Sequence, residues 1–99
     1  MGYDFVKLVK LSGDKKKYKA VLKNKETGRE KSVKFGATGY DDYTTHKDEE
    51  RKNAYISRHK ARENWTKSGV DTAGFWSRWL LWNKPSYRDS LADIKSKFF

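Results

Sequence analysis

The segment FWSRWLLW, residues 75–82, constrains this chain more than any other stretch. Only Ser77 and Arg78 interrupt its apolar residues. A helix built from it is therefore apolar nearly all round, and a helix of that kind is buried. Phe75, Trp79 and Trp82 fall at i, i+4 and i+7, and Trp76 and Leu80 make a second row. The segment is far shorter than the roughly 20 residues that cross a bilayer, so no membrane span is expected. We assign a helix to 71–82, capped by Asp71 or Thr72. It stops at Asn83-Lys84-Pro85, because proline disfavours helix in the residue before it. The rest of the chain has to supply an apolar surface for this helix to pack on.

Three lysine-rich segments near the N-terminus supply it. DFVKLVKL (4–11), KKYKAVL (16–22) and REKSVKF (29–35) are rich in β-branched and aromatic residues, and turn signals separate them at Ser12-Gly13-Asp14 and NKETG (24–28). In the second segment Tyr18, Ala20 and Leu22 share one face, while Lys17, Lys19, Val21 and Lys23 share the other. Residues 1–35 are thus a basic antiparallel meander whose apolar face needs a cover, since a small sheet alone is marginal in water. SYRDSLADIKSKFF carries Tyr87, Leu91, Ile94 and Phe98 at i, i+4, i+7 and i+11, an amphipathic helix over 86–98. The expected fold is one α+β domain of 99 residues: a three-stranded antiparallel meander packed against two to three C-terminal helices. Its core would hold Trp65, Phe75, Trp76, Trp79, Leu80, Leu91 and Ile94.

Between these parts lies GYDDYTTHKDEERKNAYISRHKARENW (39–65). We read 36–46 as a glycine loop and 47–65 as a charged helix. Thr45 and Asp48 fit a capping pattern, and Asp48, Glu49 and Glu50 suit the positive end of the helix. Its apolar stripe is thin: Ala54, Ala61 and Trp65, with Tyr55 and Ile56 beside it. Arg51, Arg58 and Arg62 share another face.

The chemistry these residues offer is limited. The chain has no cysteine, which excludes disulfides and cysteine-based zinc sites. His46 and His59 are spaced like no usual zinc pair, and no metal or cofactor is expected. The GATG of residues 36–39 lacks the lysine-serine ending of a phosphate-binding P-loop. Asp42, His46 and Glu63 would serve a metal-dependent nuclease, but acids in a first turn have an ordinary role as dipole partners. An enzyme is the least favoured reading. MGYDFVKLVKL has no apolar core of a signal peptide.

Charge is the stronger signal. The net charge is +10. Residues 1–35 carry 11 Lys/Arg against 4 Asp/Glu, residues 36–66 carry 6 against 6, and residues 67–99 carry 6 against 3. The excess lies in the N-terminal third, as in a surface that meets a polyanion. Lys16, Lys17, Lys19, Lys23, Arg51, Arg58 and Arg62 would neutralise phosphates without choosing a sequence. Tyr40, Tyr43 and Tyr55 would stack on unpaired bases. An acidic protein surface is the alternative partner.

The run 39–65 followed by TAGFWSRWLLWNKPS resembles an uncharacterised family of small basic proteins of large DNA viruses of algae and amoebae. The resemblance covers about residues 35–98. It implies a viral setting, in the virion or in the nucleus or cytoplasm of an infected cell, with DNA ahead of RNA as ligand. No catalytic residue comes with it. The alternative function is a minor capsid or cement protein that ties coat proteins together through aromatic anchors and charged pairs.

Overall fold

The computed structural model describes residues 2–38 and 42–99, and at Thr45 the backbone alone. Strands β1 (Tyr3–Lys10), β2 (Lys16–Asn24) and β3 (Glu30–Ala37) come first. Helices α1 (Tyr43–His46) and α2 (Glu49–His59) follow, then a 3-10 turn at Lys67–Gly69. Helix α3 (Ala73–Trp76) continues directly into a π-helical turn, Ser77–Leu81, and α4 (Tyr87–Phe98) ends the order. This is the expected α+β architecture.

The sheet is an antiparallel meander in the order β1-β2-β3. Cross-strand partners run from Tyr3↔Asn24 to Lys10↔Tyr18 and from Lys16↔Ala37 to Lys23↔Glu30. Both turns are closed by a side chain that takes the place of a backbone acceptor. Asp14 accepts from the Lys16 N–H at 2.9 Å, and Asn24 accepts from the Glu26 N–H at 2.8 Å. The register shifts between Phe5 and Lys7, so Val6 is an extra residue on β1. A bulge of this kind blunts an open strand edge against pairing with another chain.

Alternation sends Ala20, Leu22, Val33 and Phe35 to one face, where they bury against Phe75, Trp76, Leu80, Leu81 and Ile94. Trp76 is the centre, fully buried, with its ring 5.9 Å from Phe35 and 5.8 Å from Phe5. Its indole N–H donates to the Val70 carbonyl at 2.7 Å, which satisfies the polar atom that burial would otherwise penalise. Of the expected core, Phe75, Trp76, Leu80 and Ile94 are buried, and Trp65, Trp79 and Leu91 are half-buried. The π-helical turn closes with the Trp82 N–H donating to the Ser77 carbonyl at 3.2 Å. It turns the neighbours Leu80 and Leu81 inward together. Thr72 caps α3, its side chain accepting from the Phe75 N–H.

The charged helix differs from its expected 47–65 span. Residues 43–46 are helical rather than loop, and the chain breaks at Lys47, whose φ is 56°. A side chain in that left-handed region costs about 1–2 kcal/mol. The break lets Asp48 cap α2, accepting from the N–H groups of Glu50 and Arg51 at 3.0 and 3.4 Å. Asp48, not Thr45, is the N-cap. The helix ends at His59, so Trp65 lies beyond it in the following loop. Ala54 and Ala61 are exposed, and Tyr55 alone is buried from α2. Its ring stacks on Trp82 at 4.4 Å and 3°. Gly36, placed in the loop by sequence, is a residue of β3 with φ 77°.

Candidate nucleic-acid interface

The outer face of the sheet, turned away from Trp76, carries Lys7, Lys19, Lys23 and Lys34, and pairing decides what each has beside it. Lys23 stands between Asp4 and Glu30, its two cross-strand partners. Lys19 stands between Val9 and Lys34. Charge is therefore graded along the strands. The end with the β1–β2 turn gathers Lys10, Lys15, Lys16, Lys17, Lys19 and Lys34 against Asp14 and Asp42. The other end sets Lys23, Lys25, Arg29 and Lys31 against Asp4, Glu26, Glu30 and Asp71. Among the described residues the first end is strongly basic and the second close to neutral.

Two of the six lysines at the basic end are engaged. Lys34 pairs with Asp14 at 3.0 Å, and Lys17 pairs with the buried Asp42 at 2.7 Å. The Asp14 carboxyl is held below its usual range by the Lys16 backbone N–H and then by Lys34. The Thr38 hydroxyl donates to the Asp14 carbonyl at 2.7 Å, which ties the β1–β2 turn to the end of β3. Lys10, Lys15, Lys16 and Lys19 have no carboxylate within ion-pair distance among the described residues. Of the lysines singled out by sequence, Lys16 and Lys19 stand in this group, Lys17 is committed to the fold, and Lys23 belongs to the balanced end.

The arginines sit elsewhere. Arg51 and Arg58 are exposed on α2, which is anchored through Tyr55 to Trp82 in the helical layer. Arg62 lies past the end of that helix, its guanidinium donating to the Arg58 carbonyl at 3.4 Å. The structure does not join these three to the sheet lysines.

The expected stacking tyrosines are occupied. Tyr55 lies between His59, 4.3 Å away, and Trp82, and burial pushes its hydroxyl up to about 12. Tyr43 is buried, its hydroxyl donates to Glu49 at 2.6 Å, and the Lys52 ammonium stands 4.8 Å over its ring. The hydrogen bond to Glu49 raises the Tyr43 pKa first, burial second. Neither ring offers a base a free face. Tyr40 lies outside the described residues. Among the described residues the exposed tyrosine is Tyr87, at 42%. Sequence periodicity placed it in the apolar row of α4. Its position in the first turn, between Pro85 and Arg88, was the available signal that this row begins outside the core.

The carboxylates and histidine of the nuclease reading each have another role. Asp42 accepts from Lys17 and from the Thr44 backbone N–H. His46 Nδ1 accepts from the Asp48 N–H at 2.9 Å, and its ring lies 5.3 Å from Trp82. The Glu63 carboxylate lies against Gly74, in the space a side chain there would fill. Among the described residues no group of three His, Cys, Asp or Glu is placed to hold a metal ion. No helix among them is long and apolar enough to cross a membrane.

No curated protein and no solved structure matches the chain. One family model does, over residues 6–59, from the bulge of β1 to the last residue of α2. It takes in the basic strands, which the resemblance read from sequence left out, and it stops before the tryptophan segment on which that resemblance leaned. The match spans more than half of the 99 residues: the chain belongs to the family of unknown function DUF5754.

Proposed function

We propose that this is a small, basic, non-enzymatic protein that binds nucleic acid through the β1–β2 end of its sheet, without strong sequence preference. The observation that carries the reading is the separation of charge along the strands, which among the described residues leaves Lys10, Lys15, Lys16 and Lys19 without an ion pair at one end. Lysines act as point charges on phosphate and release condensed counterions, so affinity falls with salt. The setting is viral, with DNA ahead of RNA and packaging in the particle or action in the infected cell, on the resemblance of residues 35–98.

The test is a salt titration of binding to a labelled duplex. Replacing Lys10, Lys15, Lys16 and Lys19 by glutamine should reduce the log–log salt slope by about 3.6 and leave the fold intact. The same change at Lys23, Lys25, Arg29 and Lys31 should leave the slope nearly unchanged. Equal losses in the two variants would refute a localised interface.

A second reading, a minor capsid or cement component, is favoured by the opposite end. There a cavity of about 600 Å³ is lined by Tyr3, Val70, Phe98 and Phe99 among others, beside balanced charges. Apolar side chains ringed by mixed charge suit a protein partner. Absence of nucleic-acid binding at low salt, with fixed stoichiometry in an empty shell, would establish it over the first.

A further inference from the structure

At the basic end, the sheet, the turn between α1 and α2 and the start of α4 border a second, open cleft of about 440 Å³, lined by Tyr18, Thr44, Lys47, Pro85, Ser86 and Tyr87. That volume lies within the roughly 300–1,000 Å³ of small-ligand sites. Tyr18 forms one wall. Its ring stacks on Phe35 at 5.8 Å on the core side and meets Tyr87 at 6.2 Å on the cleft side. Tyr87 has no aromatic neighbour other than Tyr18 among the described residues, and the residue is exposed. Neither tyrosine hydroxyl has a hydrogen-bond partner among them. Burial, and after it the charges of Asp42 and Tyr87, raises the Tyr18 pKa, so this hydroxyl stays a donor at neutral pH.

The rim is basic. Lys10 is the cross-strand partner of Tyr18, and Lys16 precedes it on the same face. Lys47 lines the cleft from the chain break between α1 and α2, and Arg88 follows Tyr87. All four are exposed and without an ion pair among the described residues. A planar aromatic face, hydroxyl donors and cations close by are what an unstacked base and its flanking phosphates require. A duplex keeps its bases stacked inside and would touch only the rim.

We infer that the cleft lined by Tyr18 and Tyr87 takes one unpaired base stacked on Tyr87, making the protein's preferred ligand single-stranded nucleic acid. This rests on the nucleic-acid reading above and adds to it the form of the ligand and the residue that selects it. Lys10 and Lys16 serve both forms as phosphate contacts; Tyr87 serves only the single strand.

The experiment compares a labelled oligothymidylate with a labelled duplex of equal length, for the wild type, Tyr87→Ala and Tyr87→Phe. The wild type should bind the single strand more tightly. Tyr87→Ala should weaken single-strand binding about tenfold or more, since a base–aromatic stack contributes on that order. Duplex affinity should stay within about twofold, and Tyr87→Phe should keep the single-strand preference. Tyr87 is exposed, so truncation leaves the core untouched, and unchanged duplex binding doubles as the check on folding. Salt-sensitive duplex binding with no single-strand preference, or with no effect of Tyr87→Ala, overturns this inference and leaves the charge-based reading standing. Binding of neither form overturns both.

Discussion

Gly69 shows how tightly single positions are held in the loop that leads to the core. A Cβ at this residue would press into the backbone carbonyl of Asn64. Asn64 cannot yield cheaply, because its side chain donates to Ser68 at 2.8 Å and accepts from the Thr66 N–H at 3.1 Å. The next residue, Val70, supplies the carbonyl that receives the Trp76 indole N–H. Gly69→Ala should therefore cost about 2–4 kcal/mol, read as a lower urea midpoint with an unchanged slope. An exposed change nearby, Lys67→Ala, should stay within about 0.5 kcal/mol. None of this constraint is visible in TKSGV, which reads as a plain loop, because the atom in the way comes from a turn whose course the local sequence does not set. The same limit explains the lysines. Lys17 and Lys19 are equivalent in an alternating strand, yet one is spent on Asp42, 25 residues away, and the other has no ion pair among the described residues.

Elements were legible where a periodic face or a local cap decided them. Alternation in KKYKAVL placed Ala20 and Leu22 inside, and the spacing of Leu91 and Ile94 placed α4. Residues 43–65 were misread for two reasons. The capping pattern from Thr45 to Asp48 put Asp48 inside the helix, yet Asp48 is itself the cap, and His46 Nδ1 accepts from its N–H and supports the break. The helix then ends without glycine or proline, in a loop whose Trp65 carbonyl receives the Trp79 indole N–H at 2.8 Å. A tertiary bond thus fixes the loop after the helix, and no local signal announces it. Because α2 buries only Tyr55, its attachment is concentrated in one ring. Tyr55→Ala should cost about 3 kcal/mol. It should also raise amide exchange throughout α2 by a larger factor than in β2, where the ladder to both neighbours is untouched. Equal acceleration in α2 and β2 would show that the helix is part of the global folding unit instead.

For the whole molecule, the α+β plan followed from one demand: an all-round apolar segment and a one-sided sheet that each need a cover. The sharing of charge between a basic and a balanced end was not legible, since it depends on which strand ends lie side by side. Burial of tyrosine has a global consequence as well. Tyr55 is raised from 10.0 to about 12, mainly by burial, and Tyr18 and Tyr43 are raised too. A tyrosine raised on folding keeps its proton in the native state while the unfolded chain releases it. Between about pH 10 and 12 the unfolded state therefore binds fewer protons, and stability falls as pH rises through that window. Below pH 10 both states are protonated and the contribution is complete. For Tyr55 the loss by pH 12 is at most roughly 2–3 kcal/mol, less what solvent screening removes. Alkaline pH also relieves the self-repulsion of a +10 chain, an effect of opposite sign. The Tyr55→Phe variant separates the two: it keeps the ring stacked on Trp82 and every lysine, and lacks only the titrating hydroxyl. Urea midpoints measured at pH 8, 10 and 11.5 should fall less steeply for Tyr55→Phe than for the wild type. Parallel pH profiles would mean that the Tyr55 hydroxyl is as solvated in the folded protein as in the unfolded chain, and that its ring between His59 and Trp82 is open to water.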